Sequence, residues 1–365
     1  MGMSSAQRDP ITTAGFARGA RRCVGLLLLT FGILSTAPRG ALADTQFFRI
    51  GTGAVDSPSF AVAGIVAAGL SSPPGARPCE RGGSCGVPNL IALAQAVGSP
   101  TEAVDLLEQR QLDAALVPAS EAYRAQAAAL PAGKAGAKAE PAKTILKPRE
   151  GLRVIATLYI EALHVIVRNG TRFETVDDLK RRTVVAATDD PTAAPFLQVA
   201  IGQLGLDGGR KTPPVAVQAG LERLADGRAD ALFVVATPPA QSLVEFSTQT
   251  AVRLLSVPPA ASASLPYLTT LKMAGGFYLG ADDADLPALP TQLLVNASTD
   301  AAKVEAITRA LWNDATQKLL AAGPPVARTV KLDRALTGIV VPLHPGAAKV
   351  YREAGILTDK TPVAD

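Results

Sequence analysis

Two segments of the chain repeat one pattern. Residues 107–120 read LEQRQLDAALVPAS, and residues 224–237 read LADGRADALFVVAT. Each copy predicts the end of a helix, a tight turn, an Asp-Ala pair, a buried strand and then a hydroxyl residue. Strand-like and helix-like segments also alternate elsewhere in the chain, which is typical of parallel α/β sheets. Because such sheets bind ligands at the carboxyl ends of their strands, the repeat predicts two similar lobes that face each other across a cleft.

The first 43 residues predict an export signal. Basic residues precede an apolar run over residues 23–34, and residues 41–43 form an A-x-A cleavage site. An N-terminal membrane anchor is the alternative, but the apolar run is too short to span a bilayer. We expect cleavage before Asp44 and a periplasmic mature protein.

The net positive charge of the chain comes from this predicted export signal. Its five Arg and one Asp account for the whole formal net charge of +4, and the remaining residues balance at 31 basic and 31 acidic. A nucleic-acid-binding protein needs a basic surface, and aromatic residues that could stack on bases make up only 4% of the chain. The balance therefore excludes nucleic acid as an expected partner.

Two cysteines remain after the export signal, Cys79 and Cys85. An exported pair at this short spacing predicts a disulfide that closes a surface loop. Metal ligation is the alternative, but no third Cys or His lies nearby in the sequence.

A mature length of about 320 residues exceeds the usual size of one compact core, which again predicts two lobes. We assign residues 44–162 and about 258–365 to the first lobe and residues 163–257 to the second. The point at which the chain crosses back from the second lobe to the first is predicted only broadly, between about Val257 and Val295. Residues 130–147, rich in Ala, Gly, Lys and Pro, predict an exposed loop insertion.

Three element predictions matter below. The segments LRVIATLY and HVIVR predict two separate strands, and VAVQ predicts another strand. Residues 298–323 predict a single helix with an apolar stripe that includes Leu319 and with Gly323 at its end.

Motifs for catalysis are scarce. The segment IGTGAVDSPSF (residues 50–60) lacks the third glycine of a dinucleotide loop and the Lys-Ser/Thr of a phosphate loop, so no nucleotide cofactor is expected. Neither His164 nor His344 is paired with a nucleophile in the sequence, and we interpret both as structural or hinge residues. Asp189 and Asp190 are the candidate cation ligands, but capping of a helix by Asp190 is the favoured interpretation. We expect no catalytic residue, no metal site and no cofactor, which favours a protein that binds without chemistry.

A longer series of segments carries a family resemblance. The segments RIGTG, GGSCGVPNLIALAQ, LDAALVPASEAY, LYIEALHVIVR, VDDLKRRTVVAA, DGRADALFVV, ITRALWND and VPLHPGAAKVYREAGIL occur in this order over residues 47–357. The series resembles the TAXI family, the solute receptors of TRAP transporters. The resemblance implies a type II periplasmic-binding-protein fold, in which two α/β lobes are joined by a hinge of crossing strands. It also implies a small-molecule solute as ligand, usually a carboxylate, and TRAP transporter membrane subunits as partners, and we expect the receptor to be a monomer.

The resemblance also implies a set of ligand-binding residues. They come from the first loop, the third strand end, the lobe crossing and the second lobe: Thr52, Gly53, Ser57, Phe60, Ser120, Tyr123, Tyr159, Glu161, Thr188, Asp189, Thr192 and Thr237. Glu161 is equally well interpreted as a structural bridge of the hinge.

Acidic residues replace part of the family pattern in the two loops expected to face the cleft. Asp56 lies in the glycine-rich first loop, and Asp189 and Asp190 lie where hydroxyls and free amides are usual. Carboxylates at a helix N-terminus repel an anion and weaken the favourable helix dipole. We therefore expect a zwitterionic, cationic or neutral ligand.

Three alternative functions remain open from the sequence. They are a sensor or assembly protein that binds a ligand without transport, an enzyme on the same fold, and a receptor that has lost its ligand.

Overall fold

The structure, a computed structural model, describes residues 45–128, 151–206, 213–258, 265–358 and 361–363. The predicted export signal and loop insertion lie outside these residues. The strands are β1 (Gln46–Thr52), β2 (Ser71–Ser72), β3 (Val87–Pro88), β4 (Leu90–Ala96), β5 (Ala114–Pro118), β6 (Leu152–Arg168), β7 (Val184–Ala187), β8 (Ala231–Ala236), β9 (Val252–Leu254), β10 (Thr269–Met273) and β11 (Ala284–Asn296).

The α-helices are α1 (Pro58–Leu70), α2 (Pro100–Glu108), α3 (Ala119–Ala128), α4 (Ala194–Gln203), α5 (Val217–Ala225), α6 (Gln241–Gln249), α7 (Ala301–Trp312), α8 (Asp314–Ala322), α9 (Pro325–Arg328) and α10 (Pro345–Glu353). Short 3-10 turns cover Cys79–Arg81, Val176–Leu179, Pro191–Ala193 and Leu332–Arg334. In the part of the chain that the structure describes, no helix has the length and apolar character needed to cross a membrane.

All strands belong to one sheet with the order β3-β2-β4-β1-β5-β11-β6-β8-β7, while β10 pairs with β11 and β9 with β6. The strands β4, β1 and β5 are parallel, and so are β7 and β8. The two longest strands, β6 and β11, run antiparallel to each other through the middle of the sheet. At about 3.3 Å per residue, the 17 residues of β6 extend over roughly 55 Å, which is long enough to pass through two lobes.

Buried apolar side chains separate into clusters along these two strands. The amino-terminal half of β6 packs into a first cluster with β1, α1, α2, α7 and α10. The carboxyl-terminal half contributes to two further clusters, one against α5 and α6 and the other against α4, so helices cover both faces of this part of the sheet. The predicted architecture is confirmed: two α/β lobes are joined by crossing strands.

The core clusters narrow the position at which the chain returns to the first lobe. Met273, Leu286 and Ala288 are buried in a cluster of the second lobe, whereas Leu293 is buried in the cluster of the first lobe. We therefore propose a return crossing within β11, near residues 288–292, in place of the expected boundary at about 258.

The sequence repeat corresponds to a repeated structural device. In the first copy, the Asp113 carboxylate accepts the Arg49 backbone N–H at 2.8 Å, next to β1. In the second copy, the Asp230 carboxylate accepts the Thr183 backbone N–H at 2.9 Å, next to β7. Each Asp fixes the start of its own strand against the neighbouring parallel strand, so the two lobes are built in the same way.

Three element predictions were wrong. The two strands predicted around Tyr159 and His164 are one continuous strand, β6, because β11 pairs with it across the crossing. The predicted strand VAVQ is only a single bridge at Val215, since α5 begins at Val217. The predicted long helix breaks at Asn313, whose extended backbone ends α7 and whose side chain accepts the Thr316 N–H at 2.8 Å to cap α8.

This break lets α8 pack closely on α1. A Cβ atom at Gly69 of α1 would lie within 3 Å of the Thr316 side chain, so the contact requires glycine. Leu319, which was predicted to belong to the apolar stripe, is 45% exposed because α8 turns away from the axis of α7. The predicted disulfide is confirmed: Cys79 and Cys85 are bonded, with their Cα atoms 4.6 Å apart.

Candidate functional site: a polar cluster at the lobe crossing

Polar side chains lie at the point where β6 and β11 cross between the lobes. Tyr159 and Glu161 are two residues apart on β6, so their side chains point to the same face of the strand. Thr291 of β11 pairs with Tyr159. The three residues are 3%, 4% and 0% exposed, which makes this an unusually polar spot inside the sheet. We call these three side chains, together with Ser59 and Asp190 described below, the crossing cluster.

The first lobe contributes the loop that follows β1. Ser57 caps α1, since its Oγ accepts the Phe60 N–H at 3.2 Å, and it bonds the Ser59 hydroxyl at 2.9 Å. Ser59 Oγ also accepts the Gly53 N–H at 3.1 Å and lies beside the Tyr159 hydroxyl. A Cβ atom at Gly53 would be 3.0 Å from Ser57 Oγ, so glycine lets the loop fold tightly against these hydroxyls.

The second lobe contributes the turn between β7 and α4. Asp190 Oδ1 accepts both the backbone N–H and the hydroxyl of Thr192 at 2.8 Å, and the Asp190 N–H donates to Thr188 Oγ1 at 3.1 Å. Asp190 thus caps the short 3-10 turn Pro191–Ala193, whereas α4, for which the cap was predicted, begins at Ala194 without a side-chain cap. The same carboxylate is only 8% exposed and lies within electrostatic range of Tyr159 and Glu161, so it also belongs to the crossing cluster.

Asp189 points elsewhere. Its Oδ1 accepts the Val217 N–H at 2.9 Å at the start of α5, and its side chain is exposed. Asp56 is exposed as well, on the first loop. Of the three acidic residues that set this sequence apart from the family pattern, only Asp190 faces the crossing strands.

Burial and like charge determine the protonation of the cluster. Burial first, and then the neighbouring Asp190, raise the pKa of Glu161 to about 8. Burial and then Glu161 also raise the pKa of Tyr159 well above its usual range. At neutral pH the Glu161 carboxyl therefore keeps its proton, because a second negative charge beside Asp190 in this dry environment is unfavourable.

The remaining candidate residues lie around the cluster. Thr52 is buried, and its hydroxyl donates to the Gly53 carbonyl at 3.0 Å. Ser120 is half-buried in α3, where the Tyr123 ring lies 5.9 Å from the ring of Tyr267. Thr237 is half-buried directly after β8. No hydrogen bond connects these residues to the crossing cluster, and their ligand-binding role stays a prediction.

Two members of the cluster, Ser59 and Thr291, were not among the candidate residues, and Asp190 was considered only as a cation ligand or a helix cap. Ser59 is the second residue of α1, and its hydrogen bond to the capping residue Ser57 could have been inferred from their Ser-x-Ser spacing. Thr291 follows Pro290 inside a segment that has no strand signal, so nothing in the sequence indicated it. Thr291 Oγ1 faces the Tyr159 hydroxyl but has no hydrogen bond of normal geometry among the described residues.

Both histidines have structural roles. His164 is fully buried on β6, with Nδ1 3.0 Å from the Ala162 carbonyl and Nε2 3.0 Å from the Tyr278 hydroxyl. Burial lowers the pKa of His164 to about 4, so the ring is neutral and Nδ1 carries the proton. His344 caps α10 by accepting the Gly346 N–H.

A cavity of about 500 Å³ lies elsewhere, on the outer side of the second lobe. It is lined by β7, α4 and α5, including Val185, Val199 and Arg223. Its lining residues Leu206 and Pro213 flank residues 207–212, which lie outside the described part of the chain. None of its lining residues belongs to the crossing cluster.

The fold and the cluster define a two-lobed α/β protein whose polar residues converge where the lobes meet. Residues 87–355, about three quarters of the chain, match the NMT1-like family, and the protein belongs to that family.

Solved structures of several binding proteins also align with the chain. The periplasmic aliphatic sulphonate binding protein SsuA from Escherichia coli is 16% identical over 87% of this chain and 90% of its own, with a TM-score of 0.41. The glycine/betaine/L-proline-binding protein ProX from Borrelia burgdorferi is 12% identical over 78% and 96%, with a TM-score of 0.43. The periplasmic VFT2 domain of BvgS from Bordetella pertussis is 16% identical over 80% and 95%, with a TM-score of 0.37.

Proposed function

We propose that this protein is an extracytoplasmic solute-binding receptor that closes its two lobes on a small solute at the crossing cluster. The observation that carries the proposal is the position of Tyr159. Its hydroxyl lies beside Ser59 of the first lobe and within electrostatic range of Asp190 of the second, on a strand that belongs to both. A solute held there contacts both lobes at once, and its binding energy favours the closed arrangement.

The disulfide supports an extracytoplasmic location. Disulfides persist in oxidising compartments such as the periplasm, and the bond between Cys79 and Cys85 fits the export signal predicted for residues 1–43. The family resemblance of the sequence extends the proposal to delivery. The receptor, as a monomer, passes its solute to the membrane subunits of a TRAP-type transporter.

Native mass spectrometry of the mature protein tests the binding role. We expect a fraction of the protein, purified from the periplasm, to carry one small molecule that denaturation releases. Ser59→Trp places a large side chain in the crossing cluster and should abolish this extra mass, while Asp282→Asn on an exposed loop should retain it. The proposal fails if neither the purified protein nor a panel of amino acids, amines, carboxylates and sugars yields a bound state.

Delivery to a transporter needs a separate test in cells. Deletion of the gene should abolish sodium-dependent uptake of the identified solute, and expression of the protein should restore it. Uptake that is unchanged by deletion, from a protein that binds the solute in vitro, would favour the sensor or assembly role over transport.

A further inference from the structure

Helix α4 presents two faces to its surroundings. Phe196 and Leu197 are buried in the core of the second lobe. Pro195, Val199 and Gly202 follow one another at intervals of four and three residues, so they lie together on a different face of the helix. All three line the cavity on the outer side of the second lobe, and Val199 is 40% exposed there. One wall of that cavity is therefore a helix face that does not belong to the core.

The edge strand β7 forms the opposite wall of the cavity. It is the last strand in the order of the sheet, and among the described residues its outer side is bridged only at Ala187, to Val215. Val184 and Val185 of this strand line the cavity and are half-buried. The space between β7, α4 and α5 measures about 500 Å³. Cavities of roughly 300–1,000 Å³ are the size in which proteins hold small molecules.

The lining of the cavity combines an apolar surface with one positive charge. Most of its described lining residues are aliphatic or proline, and none of them is acidic. Arg223 of α5 supplies the charge, and within the described part of the chain its side chain takes part in no ion pair. A guanidinium group offers five N–H donors in a planar arrangement that matches a carboxylate. The lining therefore favours a ligand with one anionic end and an apolar remainder.

We propose that this cavity is a second ligand site, which holds a medium-chain monocarboxylate with its carboxylate on Arg223 and its alkyl chain between α4 and β7. The aliphatic lining stabilises the alkyl chain through the hydrophobic effect. A dicarboxylate or a sugar suits the site poorly, because its other polar groups would lie against aliphatic side chains without hydrogen-bond partners. The site is separate from the crossing cluster, and the inference does not depend on the proposed receptor function.

Titration calorimetry at pH 7 tests the proposal with decanoate as the main probe, below the concentration at which it forms micelles. We expect one decanoate to bind to each protein molecule. Affinity should rise about fourfold for each added methylene group from hexanoate through octanoate to decanoate. Decylammonium should bind at least tenfold more weakly than decanoate, because Arg223 repels its charge, and octanol should bind more weakly than octanoate.

Two variants of the lining test the place of binding. Arg223→Gln should weaken decanoate binding about tenfold or more, because the carboxylate loses a charged hydrogen-bond partner. Val199→Trp places a large side chain at the cavity wall and should abolish binding. Arg172→Gln changes an exposed arginine of the second lobe that does not line the cavity, so this matched control should keep the wild-type affinity. Far-ultraviolet circular dichroism should be the same for all variants.

A third variant separates the cavity from the crossing cluster. Ser59→Trp should leave decanoate binding unchanged, since Ser59 does not line the cavity. Loss of decanoate binding in Ser59→Trp would place the carboxylate at the crossing cluster, which would support the receptor function and overturn the second site.

The remaining outcomes concern the chemical class of the ligand. The proposal is overturned if decylammonium or octanol matches the carboxylate of equal chain length, if Arg223→Gln and Val199→Trp have no effect, or if no monocarboxylate binds. Flotation with phosphatidylglycerol vesicles distinguishes a free carboxylate from the acyl chain of a membrane lipid. We expect the protein to stay unbound, and binding to vesicles without binding to decanoate would contradict the proposal.

Discussion

Glu161 is the residue whose environment departs most from that of an ordinary side chain. Its pKa is about 8 in the folded protein, against an ordinary value of 4.5, because it is buried beside Asp190. Between these two pH values the folded state holds a proton that the unfolded chain has lost. The contribution of Glu161 to stability is therefore complete below pH 4.5 and is lost as the pH rises to about 8.

Glu161→Gln should remove this loss. In the absence of ligand, the free energy of unfolding of the variant should rise relative to wild type from pH 5 to pH 9. Relative to the wild type, the free energy of unfolding of the variant should rise by about 1.4 kcal/mol for each unit by which the pKa of Glu161 differs between the folded and unfolded states. Urea denaturation at several pH values measures the difference, with Glu222→Gln as the control that should run parallel to the wild type. Parallel curves for Glu161→Gln would show that the carboxyl ionises normally.

Tyr278 is the residue that fixes the buried His164. Its hydroxyl donates to His164 Nε2 at 3.0 Å and accepts the Ala240 N–H at 2.9 Å, while burial keeps the His164 ring neutral. Tyr278→Phe leaves a buried acceptor and a buried donor without partners, which should cost about 1–3 kcal/mol of unfolding free energy.

Urea denaturation at pH 7.5 measures the Tyr278→Phe effect. Tyr267→Phe is the matched control, since that ring keeps its contact with Tyr123 and is half-buried. An equal loss of unfolding free energy in the two variants would mean that the Tyr278 hydroxyl, with its hydrogen bond to His164, contributes no more to stability than the hydroxyl of Tyr267.

The sequence indicated part of the candidate site. The family resemblance predicted Tyr159 and Glu161 at the lobe crossing, and both lie on the long strand β6. Asp189 was assigned to the ligand site and Asp190 to a helix cap, yet Asp190 is the buried one of the two, because neighbouring residues in a turn point in different directions and only the folded turn shows which one is buried. Partners from distant segments, such as Ser59 and Thr291, depend on strand pairing that a single sequence does not reveal.

At the scale of elements, local capping signals predicted the structure better than the long-range pairing of strands. Ser99 caps α2, since its hydroxyl accepts the Glu102 N–H at 3.1 Å, and residues 99–102 carry the Ser-x-x-Glu pattern that marks the start of a helix. The central strand β11 was missed because Pro287 and Pro290 argue against a strand, yet both lie in it, opposite Thr270 and Ile160.

The repeated Asp device predicts matched mutational effects in the two lobes. Asp230→Ala should cost about 1 kcal/mol of unfolding free energy, because the Thr183 N–H loses its acceptor. Asp113→Ala should cost more, since Asp113 also pairs with the Arg49 side chain at 2.9 Å. Urea denaturation compares both with Asp282→Ala, an exposed carboxylate with no hydrogen bond to a strand. If all three variants match the wild type, the device does not stabilise the lobes.

At the scale of the whole molecule, the sequence predicted the two lobes and the crossing, and the structure adds how the crossing is made. The lobes share β6 and β11, so a change in their relative orientation must bend or twist these two strands. The crossing cluster lies at that point of the molecule. A ligand there acts on the hinge and on the facing lobe surfaces together.

The most direct test of lobe closure is a distance between the lobes. Once the export signal is removed, both remaining cysteines form the disulfide, so spin labels attach selectively at Lys318→Cys on α8 and Glu245→Cys on α6. Electron–electron double resonance then measures the distance between the labels, with and without the panel compound of highest affinity. We predict that saturating ligand shifts the distribution to one narrower population, and that Ser59→Trp abolishes the shift. Identical distributions with and without a bound solute would contradict closure of the lobes on a ligand at the crossing cluster.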